Sequence, residues 1–198
     1  MNGQIVILNG VPRSGKSSIA AAIQQGFDGI WINLGVDTTM ATTPKRYLPG
    51  IGLRPGGERP DLEPFVAQCY AALFESIAAH SRLGLNVISD LGIHDAYSKP
   101  RGILADAARR LAGLPVLFVG VMCPIDVIMA RRNADPQGYV AGDGVPEPVR
   151  RWQEAVHQPG IYDLKVDTSV MRPEQCAEAI RGALDRPGSS TAFRPVAA

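Results

Sequence analysis

Short runs of apolar, often β-branched residues alternate along this chain with stretches whose apolar positions recur every three or four residues. Gln4–Leu8 (QIVIL) reads as a buried strand and Lys16–Gln24 as the helix that follows it. Ile30–Leu34, Leu85–Ser89, Val116–Met122 and the short Leu164–Val166 read as further strands. Helical spacing marks Gly102–Leu111, Ile125–Asn133, Val149–His157 and Pro173–Leu184. A longer helix is expected to start at Asp61, a plausible N-cap after Pro60, with Leu62, Phe65, Val66, Cys69, Leu73 and Ile77 on its apolar face. Between these elements, residues 36–60 and 134–148 carry no periodicity and read as long loops. The last dozen residues read as a loose tail.

Strands that are apolar nearly throughout, alternating with helices, predict an α/β fold: a five-stranded parallel sheet with helices on both faces. Residues 1–185 then form one domain and 186–198 a flexible tail. Ligands of such sheets bind beyond the carboxyl ends of the strands. This directs attention to 9–17, 35–39, 90–94, 122–126 and 167–170. Loop 36–60 is the natural acceptor enclosure and 131–148 the natural lid.

Composition narrows the class. The chain has 198 residues, 45% of them apolar, and 20 basic residues against 19 acidic leave a net charge of +1. That balance argues against a nucleic-acid grip built on charge. The longest apolar stretch, Val116–Met122, is too short for a membrane span. The N-terminus lacks the pattern of a secretory signal. Cys69, Cys123 and Cys176 lie far apart, which fits neither a disulfide framework nor a zinc site. A cytoplasmic protein is expected, with self-association left open.

The chemistry is carried by Gly10-Val11-Pro12-Arg13-Ser14-Gly15-Lys16-Ser17, which fits G-x-x-x-x-G-K-[ST] between a strand and a helix. Its glycines permit a tight turn whose N–H groups cradle phosphate. Lys16 reaches the β- and γ-phosphates, and Ser17 is a Mg²⁺ ligand. Ser18 and Arg13 are further candidates for phosphate contact. No guanine-recognition motif N-K-x-D is present, so ATP is the expected nucleotide.

Asp37 follows the second strand directly. It could accept the proton of an attacking hydroxyl or simply terminate the strand in an Asx turn. Asp90 ends the third strand and suits Mg²⁺ through a bound water. Arg131 and Arg132 close a helix leading into the lid, where a cation could neutralise a transferring phosphoryl group or only complement the helix dipole. Met40, Tyr47, Leu48, Phe65 and His94 are the expected lining of the acceptor pocket. Such a lining would suit a mostly neutral alcohol. His157 reads as structural. A metabolic or nucleotide-sugar kinase, and a nucleotide-dependent switch without transfer activity, are the competing classes.

The chain resembles the chloramphenicol phosphotransferase family. The resemblance is carried by Ile7-Leu-Asn-Gly10 with Ser14-Gly-Lys-Ser17, Gly35-Val-Asp-Thr38, Gly56-Gly57 and Val87-Ile-Ser-Asp90. It continues through Val119-Gly-Val-Met-Cys123 with Arg131, Val140-Ala-Gly142, His157, Gly160, Tyr162-Asp163 and Val166-Asp-Thr168. It implies an ATP-dependent O-phosphotransferase with a nucleoside-kinase-like P-loop fold. It also implies Asp37 as the base, with Lys16 and Arg131 stabilising the γ-phosphoryl group. Beyond Arg131 the chain reads Asn133-Ala-Asp-Pro-Gln137, without the further lid arginine of the chloramphenicol-modifying member; Arg132 is the residue left to substitute.

Overall fold

A computed structural model describes residues 1–48, 50–134, 144–186 and 192–193. Five strands form one sheet: β1 (Ile5–Asn9), β2 (Trp31–Asn33), β3 (Asn86–Leu91), β4 (Val116–Met122) and β5 (Leu164–Asp167). Their order is β2-β3-β1-β4-β5, and every pairing is parallel. The helices are α1 (Lys16–Gly26), α2 (Val36–Thr42), α3 (Glu63–Arg82), α4 (Ile103–Arg110), α5 (Ile125–Ala134), α6 (Glu147–Ala155) and α7 (Pro173–Leu184). No helix among the described residues is long and apolar enough to cross a membrane.

The alternation of side chains along each strand sorts the core into two layers. Ile5 and Ile7 of β1, with Val87 and Leu91 of β3, pack against Phe74 and Ile77 of α3 and Ala107 of α4. Val6 and Leu8, with Ile88, Val119 and Val121, pack against Ile19 and Ile23 of α1 and Ile180 of α7. A third cluster joins Val11, just past β1, to Ile128 of α5 and Val149 of α6. The uninterrupted apolar strands thus follow from a sheet covered on both sides, whose central strand β1 delivers the chain straight into the glycine-rich turn.

Three expectations differ from the structure. Within 36–60 the chain builds helix α2 and two 3-10 turns, at Lys45–Tyr47 and Gly50–Leu53. The sequence VDTTMAT hides α2 because threonine has low helix propensity and no residue of α2 is buried, so no apolar stripe appears. Its threonines bond back to the preceding turn instead, as Thr42 Oγ1 does to Thr39 O at 3.0 Å. Asp61 does not cap α3. Its carboxylate is engaged by Arg59 at 2.9 and 2.7 Å, and the helix begins two residues later at Glu63.

The tail, finally, is docked where it is described. Phe193 is buried edge-on against Phe118, 4.9 Å between centroids, and the Ala192 N–H donates to Asp163 Oδ1 at 2.8 Å. Residues 187–191 and 194–198, and the central part of the expected lid at 135–143, lie outside the described residues.

One buried ion pair braces the site from below. Glu63 is 1% exposed and accepts from Ser98 N, Ser98 Oγ and Arg101 NH2. Burial alone would raise its pKa, but Ser98 and Arg101 together hold it below the usual carboxylate value. The segment after β3 is thereby fastened to the first turn of α3.

Candidate active site

The register of the sheet sets the site. Leu8 pairs with Asp90 and Asn9 with Leu91, so β1 and β3 end side by side and Asp90 stands next to the turn that begins at Gly10. Only glycine fits at position 10. A Cβ there would lie 2.7 Å from the Val121 carbonyl oxygen and 2.8 Å from Ser14 Oγ. Arg13 takes the left-handed backbone conformation, φ 69°. No side chain caps the start of α1 and no acidic residue occupies its first turn. Its N–H groups and the positive end of its dipole are therefore left for an anion, and Ser14 Oγ is buried without a hydrogen-bond partner in the same turn.

Three side chains converge at the mouth of the turn. Ser17 Oγ donates to Asp90 Oδ2 at 2.6 Å, and the Lys16 ammonium lies 3.4 Å from Asp90 Oδ1 while donating to Val11 O at 2.9 Å. Burial pulls the Lys16 pKa below its ordinary 10.5; Asp90, and more distantly Asp37, pull it back up. A hydroxyl and a carboxylate so placed are hard oxygen donors of the type Mg²⁺ takes alongside phosphate and water. Among the described residues no three His, Cys, Asp or Glu side chains come together to hold a metal by themselves. Any magnesium here would be held jointly with a ligand's phosphates.

These groups open into a cavity of about 1080 Å³ that runs across the carboxyl ends of the strands. Of the residues expected to hold phosphate, Gly10, Pro12, Arg13, Gly15, Lys16, Ser17 and Ser18 line it, while Val11 and Ser14 lie buried beneath. Asp37 reaches the cavity from the first turn of α2. Its approach depends on Gly35, where a Cβ would sit 3.0 Å from the Asp90 carbonyl oxygen. Arg131 also lines the cavity, but it is already fixed. Its guanidinium donates to Thr168 O at 2.6 Å, to Thr168 Oγ1 at 3.1 Å and to Arg13 O at 3.3 Å, and Thr168 Oγ1 donates to Ser14 O at 2.6 Å. Arg131 is thus tied to the phosphate turn and to the end of β5. Arg132, one position on and about 100° around the helix, borders a separate small cavity behind Val11 and Pro12.

The residues expected to line an acceptor pocket do not line this cavity. Met40, Tyr47, Leu48, Phe65 and His94 are absent from the cavity wall. Tyr47 and Leu48 face solvent, with Arg46 stacked 4.7 Å from the Tyr47 ring centroid. His94 is buried at 2% exposure. Its Nδ1 accepts from the Ala96 N–H at 3.2 Å, so Nε2 carries the proton and donates to Leu53 O at 2.9 Å. Its ring also meets Trp152 edge-on, 5.0 Å between centroids.

The wall on this side is made by Leu53, Arg54, Tyr70 and Trp152, none of which the sequence singled out. On the far side Thr168–Pro173 contribute, in and beyond the segment that the strand-end rule had marked. Arg54 lies next to the Gly56-Gly57 pair, which was the available hint. His94 supports two wall residues without touching the cavity.

Burial pulls the His94 pKa below 6.5, and burial with Lys165 and Lys16 does the same for His157. The unfolded chain therefore binds more protons than the native one just below pH 6.5, and stability is lost as pH falls through that window. Unfolding free energy measured by urea titration from pH 7 to 5 is expected to fall by up to about 1.4 kcal/mol per pH unit for each of the two groups. His94→Gln should reduce the slope. An unchanged slope in that variant would show that His94 takes up its proton in the native state.

The family described as chloramphenicol phosphotransferase-like protein matches residues 3–185. A Mycobacterium tuberculosis protein bearing the name "Putative O-phosphotransferase" is 28% identical over 192 residues, covering 90% of this chain and 80% of that one. Among solved structures, a sugar kinase from Janibacter sp. HTCC2649 superimposes with a TM-score of 0.62 at 19% identity, covering 96% of this chain and 99% of the other. The Deinococcus radiodurans tunicamycin resistance protein gives 0.61 at 16% identity, covering 93% and 96%.

Proposed function

The chain belongs to the chloramphenicol phosphotransferase-like family, which makes it a kinase-like phosphotransferase of small molecules, and we propose that its donor is ATP and its acceptor a hydroxyl group. The observation that carries this reading is the convergence of Lys16, Ser17 and Asp90 below the phosphate turn, with Asp37 opening into the same cavity. A nucleotide switch has no use for a carboxylate at Asp37. A transferase needs one, to orient an alcohol and take its proton.

In this scheme the N–H groups of the turn and the Lys16 ammonium bind the β- and γ-phosphates. The acceptor oxygen forms a bond to the γ-phosphorus as the bridging P–O bond to the β-phosphate breaks. ADP leaves with the bridging oxygen and Asp37 takes the hydroxyl proton. Arg131 adds positive charge at the equatorial oxygens while Thr168 holds its guanidinium in place. Mg²⁺, when bound, would be held by Ser17 and, through water, Asp90, and would neutralise charge developing on the phosphates. Most of the acceleration then comes from positioning and electrostatics.

The family's description makes chloramphenicol the first acceptor to try. A wall built from Leu53, Arg54, Tyr70 and Trp152 in place of the expected lining favours a second reading, a phosphotransferase for another small alcohol. The test is incubation of the purified chain with Mg·ATP and chloramphenicol, or a panel of sugars, nucleosides and other hydroxylated compounds, followed by mass spectrometry. The expected result is an acceptor heavier by one HPO₃ together with stoichiometric ADP. ADP formed without any phosphorylated acceptor would count against transfer.

A further inference from the structure

We infer that the acceptor is an alcohol that also carries an anionic group, a hydroxy acid in the simplest case, and that Arg54 is the residue that binds the anion. The inference rests on the transfer reading above and deepens it. The sheet order divides the cavity in two. The β4 and β5 ends supply Arg131 and Thr168–Arg172, while the β2 and β3 ends supply Asp37, with Leu53, Arg54, Tyr70 and Trp152 beside them. The cations of the central turn are engaged there, Lys16 by the Asp90 carboxylate and Arg131 by the neutral oxygens of Thr168. Besides the tyrosine hydroxyl of Tyr70, the acceptor half keeps Asp37 and Arg54 as its charged side chains.

Arg54 is half buried and makes no hydrogen bond or ion pair with any described residue. Several other arginines do find carboxylates: Arg59 with Asp61, Arg101 with Glu63, Arg110 with Asp106 and Glu75, Arg151 with Glu58 and Glu147. A guanidinium partly withdrawn from water and left without a partner is unfavourable until an anion arrives. Its planar fork fits a carboxylate through two parallel hydrogen bonds.

Arg54 is also held in place from behind. The carbonyl of its neighbour Leu53 accepts from His94, and the His94 ring packs against Trp152, the aromatic wall next to Arg54. A cation lining the same cavity as Asp37, Tyr70 and Trp152 suits a ligand with an apolar body, a hydroxyl at one end and a negative charge at the other. The same arginine borders the small cavity shared with Pro12 and Arg13. Service to the nucleotide's own phosphates is therefore the alternative the experiment must separate.

The full-length protein is first saturated with Mg·AMPPNP, so that the phosphate turn is filled. Binding of gluconate, quinate and 3-hydroxybenzoate is then measured by calorimetry, each against its primary amide. At least one acid is expected to bind about ten-fold more tightly than its amide, the scale of a charge-assisted bidentate contact. Arg54→Gln should bring that acid to the level of the amide while AMPPNP affinity changes by less than about two-fold. Acids and amides that bind alike, or not at all, overturn the inference. So does an Arg54→Gln variant that loses AMPPNP instead. Failure of the transfer reading looks different: acids bind through Arg54 in the wild type, but ATP yields no phosphorylated acid. Phosphorylation of neutral alcohols at rates indifferent to Arg54→Gln would leave transfer standing and remove the anion site.

Discussion

Asp37→Asn should lower turnover by about 10²–10⁴-fold, the usual contribution of a positioned general base, while ATP affinity stays within a few-fold. The substitution is close to isosteric and sits at an exposed position in the first turn of α2. Folding is little affected, since an acidic residue at a helix start contributes only about 0.3–1 kcal/mol. Asparagine can still accept a hydrogen bond from the acceptor hydroxyl, so the acceptor KM should move less than kcat, the signature of a group needed mainly in the transition state. A small electrostatic effect goes with it, because Asp37 is one of the charges that raise the Lys16 pKa. The measurement is steady-state kinetics with any acceptor shown to gain phosphate, together with titration of Mg·ADP. Turnover within a few-fold of wild type would remove Asp37 from proton transfer and leave it as a helix-start residue.

What could be read before the structure, and what could not, follows from the range of the forces involved. The segment 10–17 was legible because phosphate chemistry imposes its residue types at fixed spacing, and the strand before it and helix after it are locally encoded. Asp90 was legible for a related reason: once Val87–Ser89 reads as a buried strand, the next residue falls at its carboxyl end, where the site must be. Its contact with Ser17 spans 73 positions of sequence, yet follows directly from β3 being the neighbour of β1.

The cavity wall formed by Leu53, Arg54, Tyr70 and Trp152 was not legible, because its placement depends on contacts with no local signature. Leu53 is held through its carbonyl oxygen by a hydrogen bond from His94, 41 residues away. Reading His94 as a pocket residue mistook a support for a wall. Met40 and Tyr47 looked suitable by composition, but the turns at 45–47 and 50–53 carry Tyr47 to solvent and Arg54 into the cavity. Arg131 and Arg132 were indistinguishable as neighbours at a helix end. Roughly 100° of helical rotation separates their surroundings, and it is Arg131 that meets Thr168 and Arg13 O.

Lys16→Met is expected to abolish transfer, by about 10³-fold or more, and to leave the ligand-free protein at least as stable as the wild type. Burying the ammonium costs solvation that Asp90 and Val11 O restore only in part, which is the meaning of its lowered pKa. Methionine fills similar space without that cost, and Asp90 keeps the Ser17 hydroxyl. The sign can be checked with pH. Between the lowered native value and 10.5 the unfolded chain holds more of the Lys16 proton than the folded one, so this residue's contribution to stability rises with pH across that window. Groups whose native pKa is raised act oppositely as they titrate. Burial lifts Tyr70 above its ordinary 10, and burial with nearby Asp167 and Glu174 lifts Cys176 to about 11. The quantity to follow is therefore the difference in unfolding free energy between variant and wild type: an advantage of the variant near pH 7 that shrinks as pH approaches 10.5. In the same samples, the rise in Tm that Mg·ADP produces in the wild type should largely vanish, since a ligand stabilises only as far as it binds the native state. A variant that is less stable near pH 7, yet still gains Tm from Mg·ADP, would make Lys16 a structural residue whose charge the phosphate turn does not need.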